Sequence, residues 1–306
     1  MKKISLVIPV YRNEGELETT YQVLKKLFGG PLQSYQPEFV FVDDGSDDRS
    51  LNELLSLHQQ NSSVIVISLS RNFGQTSAII AGFRHATGDA IIALSADGQE
   101  PTELVTQFVT AWENGAQVII GKRTSREDSL SATILGNIYW RILKWSNPNL
   151  PTGSDVFLLD RSTANIFNQL DESDRFYPID VLWLGFDPVI VPYQRLKRTI
   201  GRSQWSVARK VKAGLDGILH NTYLPIRMIS TVGMIVAIMG FMATLLVIFN
   251  KLSAKTVYPG WASIICLLLF LNGLIMFMLG IIAEYIWRIY NQAKGRPVYL
   301  IKKKYG

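Results

Sequence analysis

Before residue 200, short apolar runs rich in β-branched residues alternate with longer stretches whose apolar positions recur at helical spacing. The apolar runs predict five strands: ISLVIPV (4–10), FVFVD (39–43), VIVISL (64–69), AIIALS (90–95) and QVIIG (117–121). The stretches between and after them predict four helices: 14–28, 48–60, 75–87 and 101–114. Several strands are apolar at successive positions, as strands buried on both faces are. The alternation predicts a doubly wound α/β domain.

The last third of the chain has a different pattern, because two long runs carry no charge. The first, Ile229–Phe249, has 21 apolar or small positions, which is about 31 Å of helix and enough to cross a bilayer. The second extends from Thr256 to Ala283 and is long enough to span with tilt. The alternative is a pair of buried core helices. Two such runs joined by a short loop with Pro259 favour a transmembrane hairpin.

The distribution of basic residues predicts the orientation of this hairpin. Only Lys251 and Lys255 lie in the connecting loop, and Arg227 precedes the first span. The basic residues after the second span are Arg288, Lys294, Arg296, Lys302, Lys303 and Lys304. Since cytoplasmic flanks carry the excess of Lys and Arg, both termini are expected in the cytoplasm of a multi-pass protein of the inner (cytoplasmic) membrane. The chain opens on a strand with no signal-peptide pattern, so residues 1 to about 220 are expected there too.

These patterns divide the 306 residues, 48% of them hydrophobic, into four predicted segments. They are a cytoplasmic domain (1–204), a juxtamembrane amphipathic segment (205–226), the hairpin (227–290) and a basic tail (291–306). Apolar residues at helical spacing follow Trp205, which favours a helix lying in the membrane interface, although a helix packed on the sheet is nearly as good an interpretation. The only cysteine, Cys266, lies in the second span, so no disulfide or cysteine-based metal site is expected.

Charged and small residues follow the predicted strands, where ligands bind in doubly wound folds. The segments are Pro9–Glu14, Asp43–Asp48, Ser70–Gly74, Ser95–Gln99 and Gly121–Arg123. No GxGxxG follows the first strand, and residues 115–123 depart from a phosphate-binding loop, so a dinucleotide oxidoreductase and a P-loop kinase are both disfavoured. Acidic residues near arginine suit a divalent cation bridging a diphosphate, with Asp97 as one ligand. Asp43 and Asp44 fit a turn and a functional role about equally.

Together these residues resemble the polyprenyl-phosphate glycosyltransferases of glycosyltransferase family 2, which include dolichol-phosphate mannose synthase and the bactoprenol glucosyltransferases. The resemblance covers nearly the whole chain. The motifs that carry it are IPVYRNEGEL, FVDDGSDD, LSRNFGQTSAIIAGFRHATGD, ALSADGQEP, GKR, GSDVFLLDR and VPYQRLKRTIGRSQWS, followed by the hairpin. It implies a GT-A type nucleotide-sugar-binding domain, a divalent metal (Mg²⁺ or Mn²⁺) and transfer of one sugar to the phosphate of an isoprenoid lipid.

The resemblance also implies roles for individual residues. The nucleotide-sugar pocket would be lined by Pro9, Tyr11, Glu14, Asp43, Asp44, Ser95, Asp97 and Arg123. Asp97 and Gln99 would face the metal, and Asp155 would lie close to the reacting centre. Arg195, Arg198 and Ser203 would hold the acceptor phosphate or the leaving diphosphate.

Three positions depart from the pattern of the family. Ser95 replaces the first Asp of a frequent D-x-D pair, Phe157 a frequent Arg, and Gln204 a frequent Lys. Each departure removes a charge from the expected site, so the phosphate contacts are expected to be distributed differently here.

The expected reaction follows from the acceptor, whose phosphate is largely anionic at neutral pH because its second pKa is about 6. It needs no strong general base, but two anions must be brought together, and seven basic residues with no acidic ones lie between Arg195 and Lys212. The alternative for that segment is a basic helix lying against anionic headgroups. The expectation is inverting in-line transfer, with Asp155 orienting the acceptor or stabilising positive charge on the sugar.

Glucose from UDP-glucose is the favoured donor and mannose from GDP-mannose the alternative. A processive polysaccharide synthase is less favoured, because two spans and no QxxRW motif are present. A non-enzymatic membrane scaffold would leave the polar strand ends unexplained. Nucleic acid is not an expected partner. Gly233 and Gly240, or Gly273 and Gly280, would permit close helix contacts in a homo-oligomer such as a tetramer, although a seven-residue glycine spacing carries little weight.

Overall fold

The computed structural model divides into two compact units. It describes residues 1–124, 156–172, 175–196 and 261–306, together with 227–229, 231–236, 238–240, 242 and 249. One unit comprises Met1–Lys212 and Arg296–Gly306 and is called the sheet unit; the other, Ala213–Gly295, is called the helical unit.

The described part of the sheet unit contains eight strands and six helices. The strands are β1 (Lys3–Val10), β2 (Gln36–Asp43), β3 (Val64–Leu69), β4 (Ala90–Ala93), β5 (Val118–Arg123), β6 (Val156–Asp160), β7 (Val189–Tyr193) and β8 (Ile301–Tyr305). The helices are α1 (Leu17–Phe28), α2 (Ser50–Gln60), α3 (Gln75–His85), α4 (Thr102–Glu113), α5 (Arg161–Gln169) and α6 (Tyr177–Trp183). All five predicted strands and all four predicted helices are confirmed, with ends that differ by a few residues.

All eight strands form a single mixed sheet in the order β7-β5-β6-β4-β1-β2-β3-β8. Strands β1 to β5 and β7 are parallel to one another, whereas β6 is antiparallel to both β4 and β5, and β8 is antiparallel to β3. The six parallel strands therefore end at one edge, which is called the carboxyl edge. Because β6 runs the other way, it begins at that edge, with Val156 opposite Gly121.

Helices cover both faces of the sheet and divide the core in two. Helices α1, α2 and α4 pack apolar residues such as Leu17 and Phe108 on one face. Helices α3, α5 and α6 pack residues such as Phe83 on the other. Helix α3 lies so close to β1 that a Cβ added at Gly82 would come within 2.2 Å of a Val7 methyl group. The predicted doubly wound α/β architecture is confirmed.

Strand β8 follows the membrane-like segment in the chain, yet it belongs to the sheet unit. It pairs with β3, and the Ser70 amide donates to the Leu300 carbonyl at 2.9 Å just beyond the strand. Val298 and Tyr299 pack against the apolar cluster under α3. Part of the predicted basic tail is thus an edge strand, and its lysines suit an edge because charge disfavours pairing with another chain.

The helical unit contains α7, Trp261–Ala293, which is 33 residues long. Within it, Leu271–Ala293 is long and apolar enough to cross a membrane, with a mean hydropathy of 1.5 and none of that window buried. A shorter apolar helix, Arg227–Gly240, overlaps the first predicted span. Nine of the 21 residues of that span, and all of residues 251–260, lie outside the described residues. Among the residues that the structure describes, one candidate span is therefore found by length and composition where the sequence predicts two.

Candidate active site

The loop after β4 contains Asp97 and is fixed from two sides. Thr20, on α1, donates its hydroxyl to the Ala96 carbonyl at 2.9 Å. Gly98 has φ 60°, a left-handed conformation that glycine adopts without a Cβ penalty. The Gln99 amide donates to Asp97 Oδ1 at 3.3 Å. The loop thus presents a defined carboxylate at the carboxyl edge.

Ser95 and Glu100 form a second acidic contact in the same loop. Ser95 donates its hydroxyl to Glu100 Oε1 at 2.8 Å and its amide to Oε2 at 3.3 Å. The pKa of Glu100 is raised, first because its carboxyl group is buried and then because Asp97 is close. Position 95 therefore carries no carboxylate of its own, but the structure places the carboxylate of Glu100 against it.

Two contacts join this loop to the segment that follows β7. Arg195 Nη2 lies 3.5 Å from Asp97 Oδ2, and the Asp97 side chain is only 6% exposed. Gln99 Nε2 donates to the Leu196 carbonyl at 3.0 Å, and the Leu196 amide donates to the Gln99 carbonyl at 2.9 Å. The fold therefore brings together Arg195, Asp97 and Gln99, which belong to two motifs far apart in the sequence.

The acidic pair at the end of β2 is buried and bonded within the protein. Asp43 accepts from the Ser46 amide at 3.1 Å and from the Ser68 hydroxyl at 3.2 Å. Asp44 accepts from the amides of Phe73 and Gly74, at 2.7 and 2.8 Å. Burial raises the pKa of Asp44 to about 6, against the lowering effect of these two amides. Asp44 thus holds the loop after β3.

Glycine is required at position 45 for two reasons. Gly45 has φ 65°, and a Cβ there would lie 2.5 Å from the main-chain carbon of Arg71. The loop after β2 therefore packs directly against the loop after β3. In that second loop the guanidinium of Arg71 lies 4.1 Å from the ring centre of Phe73. The turn that DDGS favours is present, and the close contact with the loop after β3 is an additional constraint on position 45.

The loop after β1 is bonded to the start of α2. Arg12 has φ 55° and forms two hydrogen bonds to Asp47, at 2.6 and 2.5 Å. Glu14 accepts from the Arg49 amide at 3.2 Å. Pro9 lies near the end of β1, opposite Val42 of β2, and Tyr11 follows the strand. The Glu14 carboxylate is therefore used by a neighbouring loop, whose position at the carboxyl edge it helps to set.

At the end of β5, Arg123 pairs with Tyr193 of β7. The next residue, Thr124, donates both its amide and its hydroxyl to the Tyr193 carbonyl, at 2.9 and 3.0 Å. Arg123 thus lies beside the end of β7, and Arg195 follows that strand two residues later. Asp155, Arg198 and Ser203 lie outside the described residues.

Four partners of the site are not among the predicted site residues: Thr20, Ser68, Glu100 and Leu196. Each contacts a residue that the sequence singles out, and three of them do so with a hydroxyl or a main-chain group. Glu100 was the only one with a signal, since it is an acidic residue directly after the ALSADGQ stretch.

The donor groups fit a divalent cation that is shared with a diphosphate. No cluster of three or more His, Cys, Asp or Glu side chains suited to a metal occurs in the part of the chain that the structure describes. Mg²⁺ needs only one or two protein carboxylates when phosphate oxygens and water complete its shell. Asp97 supplies such a carboxylate, and the carboxyl group of Glu100 lies close to it.

The sequence is similar to one protein family and to several known glycosyltransferases. The profile of glycosyl transferase family 2 matches residues 5–166. An uncharacterised glycosyltransferase of Bacillus subtilis strain 168, YkcC, is 34% identical over 99% of this chain and 94% of its own length. A prophage bactoprenol glucosyl transferase homolog of Escherichia coli K12 is 31% identical over 98% of this chain and 99% of its own length.

Structural comparison gives the fold. Glucosyl-3-phosphoglycerate synthase of Mycobacterium tuberculosis, solved with Mn²⁺, UDP and glucosyl-3-phosphoglycerate, matches with a TM-score of 0.50 at 17% identity. The match covers 71% of this chain and 77% of the synthase. At this identity the likeness is one of fold, and the sheet unit has the GT-A type fold.

Proposed function

The chain belongs to glycosyltransferase family 2, and from this premise we propose that it transfers one hexose from a nucleotide sugar to polyprenyl (undecaprenyl) phosphate. Glucose from UDP-glucose is the proposed donor sugar. Relatives named as bactoprenol glucosyl transferases match along nearly the whole chain, including its apolar helix, and this supports a lipid acceptor.

The observation that carries the proposal is the contact between Asp97 and Arg195 at the carboxyl edge. A carboxylate suited to a cation and a guanidinium suited to a phosphate lie 3.5 Å apart. Arg195 Nε is buried and has no hydrogen-bond partner among the described residues. A reaction between two phosphate-bearing substrates needs such paired charges, because positive charge must offset the repulsion between the anions.

In the proposed mechanism the lipid phosphate attacks the anomeric carbon of the sugar in line with the leaving group. The bond from that carbon to the diphosphate oxygen breaks as the new carbon–oxygen bond forms, which inverts the configuration. Arg195 binds phosphate oxygens and orients them, and Asp97 would hold Mg²⁺ or Mn²⁺. That cation, when bound, supplies charge stabilisation for the leaving nucleoside diphosphate. No general base is required, because the acceptor is already anionic.

We assign Asp155 to orienting the acceptor or stabilising positive charge on the sugar, and Arg198 and Ser203 to phosphate binding. Val156, the next residue after Asp155, lies at the carboxyl edge where β6 begins, and this supports the assignment. Pro9, Tyr11, Glu14, Asp43, Asp44, Ser95 and Arg123 remain the proposed nucleotide-sugar residues, with Gln99 a proposed metal ligand.

For the membrane we propose two spans, with both termini and the sheet unit on the cytoplasmic side. The helix Leu271–Ala293 supports one span, and the uncharged run that contains Arg227–Gly240 supports the other. A homo-oligomer through the helical unit is compatible with this arrangement.

The purified full chain tests the function directly. Incubated with undecaprenyl phosphate, a divalent cation and a panel of labelled UDP- and GDP-sugars, it is expected to form a lipid-linked product from UDP-glucose. The product is expected to have inverted configuration, which NMR of its anomeric proton measures. A lipid product from GDP-mannose alone would replace the proposed sugar, and a polymer would indicate a processive synthase.

Asp97→Asn tests the metal site. The neutral amide is a poorer ligand for a hard cation, so transfer is expected to fall by about 100-fold or more, the scale seen when one electrostatic group leaves a preorganised site. Asp187→Asn, the same change at an exposed loop residue, is the control and should keep full turnover. Retained turnover in Asp97→Asn, or full activity after chelation of divalent cations, would remove Asp97 from the metal site.

A further inference from the structure

We propose that Gln99 is a positioning residue whose side-chain amide and main-chain carbonyl clasp Leu196 and so hold Arg195 against Asp97. The clasp consists of two hydrogen bonds: Gln99 Nε2 donates to the Leu196 carbonyl at 3.0 Å, and the Leu196 amide donates to the main-chain carbonyl of Gln99 at 2.9 Å. The proposal rests on the proposed function for its catalytic meaning, and on these contacts alone for its structure.

The clasp spans a wide part of the carboxyl edge. Gln99 follows β4 and Leu196 follows β7, and the sheet order places β6 and β5 between those two strands. Three strand spacings amount to about 14 Å. The two loops must therefore reach toward each other over the ends of β5 and β6, and the clasp fixes where they meet.

The chemistry of the clasp requires an amide at position 99. The main chain of Leu196 offers one donor and one acceptor: its amide donates to the main-chain carbonyl of Gln99, and its carbonyl accepts from the Gln99 side-chain amide. A carboxylate accepts hydrogen bonds but cannot donate one. Glutamate at position 99 would therefore leave the Leu196 carbonyl without its donor and place a negative charge beside it. The Leu196 side chain takes no part in either bond and is half exposed.

Replacing Gln99 by glutamate distinguishes the clasp from the role as a metal ligand that the family resemblance implies for Gln99. Glutamate is a good oxygen ligand for Mg²⁺, so a ligand at position 99 would tolerate Gln99→Glu. A clasp would not. Residues 195–212 include seven basic residues and no acidic ones. Arg195 is the first of the seven, so loss of the clasp frees the arginine at the start of the segment that is proposed to bind the acceptor phosphate.

The test uses the full chain in detergent micelles, without metal or nucleotide, and measures hydrogen–deuterium exchange. Gln99→Glu removes the bond from the side chain to the Leu196 carbonyl and keeps the main-chain acceptor of the Leu196 amide. With one bond of the clasp lost, the loop should open more often, so the peptide containing the Leu196 amide should exchange roughly five- to tenfold faster. The thermal midpoint should stay within a few degrees of the wild-type value. The control is Gln117→Glu, at an exposed residue whose amide donates to the Ser162 hydroxyl at 3.4 Å, and it should leave that peptide unchanged.

A second pair of variants tests the other bond of the clasp. Leu196→Pro removes the amide donor and should lower transfer and raise KM for polyprenyl phosphate, whereas Leu196→Ala keeps the main chain and should behave as wild type. Gln99→Glu should likewise raise KM for the lipid about tenfold, and it should not raise the metal concentration for half-maximal rate, because glutamate keeps an oxygen ligand at position 99.

Unchanged exchange at Leu196 in Gln99→Glu would overturn the clasp, whatever the activity. A changed metal dependence with unchanged exchange would instead make Gln99 a ligand only. If exchange rises as expected but neither the wild type nor any variant glycosylates polyprenyl phosphate, the clasp stands and the proposed acceptor is wrong.

Discussion

Asp44 shows how one residue links the ends of two strands. Its side chain is buried, and both its carboxylate oxygens accept main-chain amides from the loop after β3. These bonds favour the charged form, but burial disfavours it more and raises the pKa to about 6. The folded protein therefore holds this proton more tightly than the unfolded chain does.

The sign of the resulting pH dependence follows from that difference. A carboxyl group with a raised folded pKa contributes stability that is lost as pH rises from its unfolded value, about 3.8, to about 6. The shift corresponds to at most about 3 kcal/mol, at 1.36 kcal/mol per pKa unit. Asp44→Asn cannot ionise, so its thermal midpoint should decline less than that of the wild type between pH 4 and pH 7. A constant difference between the two proteins would show that Asp44 ionises normally.

At the scale of elements, β8 protects the outer edge of the sheet. It covers β3, and its Tyr305 ring lies 6.4 Å from that of His58. Beyond the strand, the Leu300 carbonyl holds the Ser70 amide, so β8 also supports the loop that Asp44 anchors. Without it, β3 would present an open row of main-chain donors and acceptors.

Truncation after Gly295 should therefore lower the thermal midpoint, promote aggregation and raise KM for the nucleotide sugar. Replacing Lys302, Lys303 and Lys304 together by glutamine is the matched control, because it removes the charges and keeps the main-chain pairing. Size-exclusion chromatography and steady-state kinetics measure the outcomes. If the truncated protein matches the control, β8 is dispensable for the sheet.

Much of this architecture could be predicted from the sequence, and the gaps have physical reasons. Strands β1 to β5 are predictable because each is an apolar run of typical strand length. Strand β8 is not, since IKKKY has one apolar residue before three lysines and is stabilised by its partner strand. The reversed direction of β6 likewise depends on pairing that no local pattern records.

The candidate site shows the same division. Asp97 and Arg195 are identifiable as charged residues after strands, but their 3.5 Å contact joins positions almost a hundred residues apart. Main-chain partners such as the Leu196 carbonyl carry no side-chain signal at all. Residue types are thus predictable from the sequence, and their partners are set by the fold.

At the scale of the whole molecule, a GT-A sheet unit is combined with an apolar helix in one chain. The residues of Leu271–Ala293 leave their apolar surface uncovered within the structure, as a helix in contact with lipid does. Ile282, near the middle of that range, is 46% exposed, and Ile289, near its end, is 68% exposed.

A charge placed at these two positions tests whether the helix spans. Ile282→Arg should reduce the fraction that resists alkaline carbonate extraction, because arginine at the centre of a span costs about 2.5–3.5 kcal/mol on insertion scales. Ile289→Arg should be tolerated, since a long side chain near the helix end reaches the interface, and Ile282→Leu should be neutral. Equal membrane retention of all three would show that Leu271–Ala293 is not needed to hold the chain in the membrane.

The position of β8 in the chain sets an order on biogenesis. Its partner β3 ends at Leu69, whereas β8 begins at Ile301, after α7 has been made. At about 5–20 residues per second, the ribosome needs roughly 10–50 s to cover that distance. Throughout that time the nascent sheet has an unfinished edge, and it is completed only once the apolar helix has been synthesised. Maturation of the sheet is thereby timed to follow the step at which a membrane helix would be delivered to the bilayer.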